Sequence, residues 1–88
     1  MADQASEKSD LEKSRDIISQ LKEMHHYSKE NIEKLGNFWL LLDGDLKQSE
    51  YAEKTELLLN HQNEFHDTLE ALISDYEIEC NRIENEAE

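Results

Sequence analysis

Residues 36–45 read Gly36-Asn37-Phe38-Trp39-Leu40-Leu41-Leu42-Asp43-Gly44-Asp45, and this stretch decides the fold. Gly36-Asn37 has the composition of a helix end, because Gly and Asn best tolerate the left-handed backbone that closes a helix. Asp43-Gly44 is the strongest turn signal in the sequence. The apolar run between them either follows the first helix or prolongs it by a turn or two. Under both readings the chain reverses between Asn37 and Asp45.

On the N-terminal side, Ser9-Asp10-Leu11-Glu12 has the form of a capping box, with hydroxyl and carboxylate each satisfying an orphaned backbone N–H. Apolar residues then recur at Leu11, Ile18, Leu21, Ile32, Leu35 and Trp39, with Ile17, Met24 and Tyr27 widening the stripe. Steps of three and four residues predict a helix over about 9–36. On the C-terminal side a second helix is expected from near Asp45 to about residue 84, roughly 60 Å long at ~1.5 Å per residue. Its stripe reads Leu58, Phe65, Leu69, Leu72, Tyr76 and Ile83, thickened by Leu46, Tyr51, Leu57, Leu59, Ile73 and Ile78. Residues 1–8 read as a disordered lead-in and 85–88 as an acidic tail.

Two helices and a short reversal make an all-α, antiparallel two-helix hairpin. Its turn implies facing residues whose numbers total about 86 or 87. Leu21 then faces Phe65, Ile18 faces Leu69, Leu11 faces Tyr76 and Leu35 faces Tyr51. The expected hairpin core is Leu11, Ile18, Leu21, Leu35, Leu58, Phe65, Leu69, Leu72 and Tyr76.

Composition agrees with helix and narrows the function. The 88 residues contain no proline, no valine and two glycines, and 36% are hydrophobic, below the ~45–50% usual in globular domains. Twenty-two acids against nine lysines and arginines leave a net charge of −13. Such a surface repels nucleic-acid phosphates and anionic lipid. The acidity is uneven, since residues 45–88 hold 13 of the acids and only three of the bases. The lone Cys80 offers no internal disulfide. The longest apolar run, Phe38 to Leu42, cannot insert into a membrane, and the N-terminus lacks a signal-peptide core, so a cytoplasmic protein is expected.

Apolar residues nevertheless exceed what one hairpin seam can bury. Ile17, Met24, Phe38, Trp39, Leu41, Leu57, Leu59 and Ile73 are the expected partner-binding residues. The occupant of that surface is either a second copy, giving a homodimeric four-helix bundle, or helices of a different protein. No nucleophile constellation, phosphate loop or cleft-forming carboxylate pair is present, so no enzyme, no catalytic residue and no cofactor is expected. His25, His26, His61 and His66 lack the spacing of paired ligands. With His25 facing His61 or Gln62 near Ser28, they read as a polar layer that fixes register rather than as a metal site.

The layout of a short acidic chain, one helix to the mid-thirties, Trp39 and a glycine at the reversal, and a longer second helix resembles the WXG-type (ESAT-like) small proteins of bacterial type VII secretion systems. The resemblance extends to the small helical partners of LXG toxins. Trp39 and Gly44 stand wider apart than in that family's Trp-x-Gly turn. His66, Glu70 and Ile73 match a pattern of its second helix, whereas Tyr76 meets Cys80, not an acid, at the spacing of its export signal. The resemblance implies an accessory or targeting factor, or a chaperone, that binds the helical domain of a secreted toxin. If the chain itself is exported, it implies a signal-peptide-independent route. Two other classes stay open beside it: a self-assembling structural coiled coil, and an acidic immunity or inhibitor protein.

Overall fold

A computed structural model describes residues 9–87 of the chain; the lead-in over 1–8 and residue 88 lie outside them. Helix α1 spans Asp10–Leu40, a π-helical turn covers Leu41–Asp45, and helix α2 spans Ser49–Ala87. The two helices pack antiparallel, with no strand among the described residues, so the all-α hairpin stands. The molecule measures 64 × 25 × 14 Å. Its thinnest dimension is close to one helix diameter, about 10–12 Å, so the hairpin is a single layer.

The expected capping box is present. Ser9 Oγ accepts from the Glu12 N–H at 3.2 Å, and the Ser9 N–H donates to Glu12 Oε1 at 3.1 Å. The far end of α1 differs from expectation. Gly36-Asn37 does not close the helix, which runs on through Leu40. Burial of Leu35, Trp39 and Leu42 along the same line outweighs the ~1 kcal/mol that a mid-helix glycine costs. Nor is Asp43-Gly44 the reversal. It lies in the π turn, closed by the Leu46 N–H donating to the Leu41 carbonyl at 2.9 Å. The chain turns at Lys47, whose φ of 53° is left-handed, and α2 begins at Ser49 rather than near Asp45. At the other end α2 continues to Ala87, so 85–87 are helix and not a separate tail.

Moving the reversal toward the C-terminus moves the register. Tyr76 Oη donates to Ser14 Oγ at 2.7 Å, where Leu11 was the expected neighbour. His25 stacks on His66, where His61 or Gln62 was expected. The helices are therefore paired about one turn, three to four residues, away from the sequence-based register.

The seam has a strict alternation of three- and four-residue steps. On α1 and the π turn that continues it, the seam comprises Leu11, Ser14, Ile18, Leu21, His25, Ser28, Ile32, Leu35, Trp39 and Leu42. On α2 it comprises Ala52, Thr55, Leu59, Gln62, His66, Leu69, Ile73, Tyr76 and Cys80. Every one of these residues is buried or half-buried, and a sustained period of this kind is that of knobs-into-holes packing. Ile18, Leu69, Ile73 and Cys80 form the buried cluster, with Leu11, Leu21 and Tyr76 against it. Of the expected core, Leu11, Ile18, Leu21, Leu35, Leu69 and Tyr76 are in the seam. Leu58, Phe65 and Leu72 are not, being 54%, 45% and 48% exposed. Each stands one residue before a seam member, and one residue turns the side chain by about 100° around the helix.

Candidate functional site

The displaced residues form a pattern of their own. Tyr51, Leu58, Phe65 and Leu72 recur every seven residues along α2, and Ile17, Met24 and Phe38 do so along α1, with Asn31 at the intervening position. All seven apolar residues are exposed. Because the seam shares the seven-residue period, these residues stay on one side of it throughout. In antiparallel packing the equivalent edges of the two helices meet on the same side of the hairpin. Met24, Tyr27, Ser28, Asn31, Gln62 and Phe65 line one groove, and Asn31, Lys34, Leu35, Phe38, Leu58 and Gln62 line the next. A third, lined by Phe38, Leu41, Leu42, Leu46 and Thr55, carries the apolar surface to the turn.

Five of the residues expected to bind a partner, Ile17, Met24, Phe38, Leu41 and Leu57, are exposed. The other three belong to the seam: Trp39 and Leu59 are half-buried and Ile73 is buried. Their surface is already covered by the opposite helix, so they cannot anchor a partner. Leu58, Phe65, Leu72 and Tyr51 take their place on the open face. The signal that separates the two sets is phase, readable from the seven-residue recurrence of Ala52, Leu59, His66, Ile73 and Cys80 beside that of Tyr51, Leu58, Phe65 and Leu72.

The opposite edge is charged. Arg15 pairs with Glu84 and Lys22 with Glu77, both at 2.6 Å. These residues again step by seven, so the next rung joins Lys29 and Glu70. That rung is not closed among the described residues. Instead, Glu70 lies beside two histidines of the seam, with one ligand atom from each of His25, His66 and Glu70 within 4.8 Å of the others.

The polar layer expected around His25 exists, with His66 in it instead of His61. Gln62 Nε2 donates to Ser28 Oγ at 2.9 Å, and His66 Nδ1 lies 3.1 Å from the same oxygen. The His25 and His66 rings stack with centroids 4.2 Å apart. His25 Nε2 is buried with no hydrogen-bond partner. His26 and His61 point away into solvent and meet local acids, Glu30 at 3.3 Å and Glu64 at 3.7 Å. An open groove beside the layer is lined by Lys22, His25, Glu70, Ile73, Ser74 and Glu77. No described helix is long and apolar enough to cross a membrane. No protein-family model, curated protein or solved structure matches the chain, so its own residues carry the functional reading.

Proposed function

We propose that this chain is a non-enzymatic, protein-binding helical hairpin that completes a helical bundle by docking the helices of another protein on the Met24, Phe38, Leu58 and Phe65 face. The observation that carries the reading is the seven-residue recurrence of exposed apolar side chains on both helices along one edge of the hairpin. Scattered surface apolars need no explanation, whereas a phased stripe, here interrupted on α1 at Asn31, marks an interaction surface. The accessible surface, 6841 Å², supports it: a compact monomer of this mass exposes roughly 5,400 Å².

A different protein is favoured over a second copy by charge. Each chain carries −13, and two such chains repel one another, whereas a basic helical partner is attracted and a weakly charged one is not repelled. The resemblance to WXG-type proteins gives the partner its class. It makes the chain an accessory factor or chaperone for the helical domain of a type VII secretion substrate.

The test is light scattering of the purified chain alone and with the helical N-terminal domain of an LXG-type toxin. A one-to-one complex that disappears in Leu58→Glu/Phe65→Glu, with helicity retained, is the expected result. A stable dimer that the toxin domain does not dissociate replaces this reading with self-assembly.

A further inference from the structure

We propose that His25, His66 and Glu70 are the protein ligands of a divalent transition-metal ion of the zinc class, held between the two helices. His66 and Glu70 are four residues apart on α2 and so share one face, and His25 reaches them across the seam from α1. Two imidazoles and one carboxylate form a borderline donor set that suits Zn²⁺, Co²⁺ or Ni²⁺, whereas Ca²⁺ and Mg²⁺ call for more oxygens. Three protein ligands leave a fourth position for water.

The three ligand atoms already lie within 4.8 Å of one another. A tetrahedral ion with bonds of about 2.0–2.1 Å needs neighbouring donors roughly 3.3 Å apart. Closing to that spacing also requires the stacked His25 and His66 rings, now 27° from parallel, to turn until their in-plane lone pairs converge; the motion falls on the ring torsions of the histidines and the side chain of exposed Glu70. Three further observations point to a ligand. His25 Nε2 is the buried side-chain polar atom left without a hydrogen bond among the described residues, and such an atom is ordinarily paired. Ser28 Oγ, already accepting from Gln62, sits 3.1 Å from His66 Nδ1. It can accept that N–H as well and so leave His66 Nε2 unprotonated for metal, the outer-shell arrangement common to ligating histidines. Access is also present, because the groove lined by Lys22, His25, Glu70 and Glu77 opens to solvent. Lys22 is engaged by Glu77 at 2.6 Å, which limits its repulsion of a cation. The site is independent of the apolar face, so it holds whether or not the docking reading does.

The test titrates Zn²⁺ into the full chain, free of any purification tag, at pH 7.5, and follows the imidazole resonances by NMR. The expected result is saturable one-to-one binding that shifts His25 and His66 but not the exposed His26 and His61, with a thermal midpoint that rises with zinc. Glu70→Gln, at an exposed position that leaves the seam intact, weakens binding at least ~10-fold, and His66→Gln abolishes it. Co²⁺ in place of zinc gives the visible bands of a low-coordinate ion. Unmoved His25 and His66 resonances, binding that maps to His26 or His61, or an affinity unchanged in Glu70→Gln overturns the site.

Discussion

His25 and His66 stack 4.2 Å apart at 27°, one on each helix, in the middle of a seam that is otherwise mainly aliphatic. With Ser28 and Gln62 they divide the Ile18, Leu69, Ile73 and Cys80 cluster from the Ile32, Leu35, Trp39 and Leu42 segment near the turn. A polar layer of this kind gives up stability and in return penalises slipped registers, since any slip buries its members against aliphatic neighbours. Replacing both histidines with leucine is expected to raise the thermal midpoint in metal-free buffer. The same change is expected to broaden the oligomer distribution seen by light scattering. A double variant that is less stable, or strictly monodisperse, speaks against a register role.

Leu69 and Phe65 stand four residues apart and separate core from docking face. Leu69 is 5% exposed, so Leu69→Ala removes buried contacts and is expected to cost about 2–5 kcal/mol in urea unfolding. Phe65→Ala removes a ring that is nearly half exposed, and its cost is expected to stay below about 1.5 kcal/mol. The order reverses for partner binding, where Phe65→Ala is the damaging change. Equal destabilisation by the two variants contradicts the assigned phase.

Much of this was legible in the residues, and the failures have a common cause. The capping box at Ser9, the helical period and the all-α hairpin are local, and local signals fixed them. Phase and register are not local. Leu57-Leu58-Leu59 and Leu72-Ile73 are apolar throughout, so hydrophobicity alone does not say which member faces the partner helix, and a histidine at position 66 hides the true line. The register followed the turn, and the turn signals misled because the continuing seam held Gly36 in helix and a π turn absorbed Asp43-Gly44. The His66, Glu70 spacing is visible in the sequence, but His25 joins it only once the register is known.

Gly36 and Lys47 are each suboptimal for the backbone they adopt. Gly36 is inside α1 with no positive φ, and a Cβ added there meets nothing within 4 Å. Gly36→Ala is therefore expected to stabilise the hairpin by about 1 kcal/mol, the helix-propensity difference. Lys47 has φ 53°, a conformation costing a non-glycine residue roughly 1 kcal/mol. Lys47→Gly relieves that strain, offset in part by the greater entropy lost by glycine, so a gain of up to ~1 kcal/mol is expected. Thermal unfolding of the single and double variants measures both. The effects are expected to add, because the sites share no partner. Destabilisation by Gly36→Ala would show that α1 ends where the sequence first suggested.

Arg82 grips Glu79 through two bonds, Nε to Oε1 at 3.0 Å and Nη2 to Oε2 at 2.6 Å, and reaches Glu86 through Nη1 at 2.7 Å. It is one of three basic residues in the acidic half of the chain. Its hydrogen bonds hold the Glu79 carboxyl below the ordinary glutamate value of 4.5, against an opposing effect of desolvation and with a lesser contribution from the Arg82 charge. A carboxyl lowered in the folded state binds its proton more weakly there than in the unfolded chain. The contribution of the pair is therefore complete above the unfolded value and disappears as pH falls through the lowered folded one. Carboxyl NMR titration is expected to find Glu79 below the ordinary glutamate value, and to find it returned to the ordinary range in Arg82→Gln. Both carboxyls are open to solvent, so salt is expected to shrink the difference. A Glu79 midpoint that does not move on removal of Arg82 would mean that the three side chains do not hold this geometry in solution.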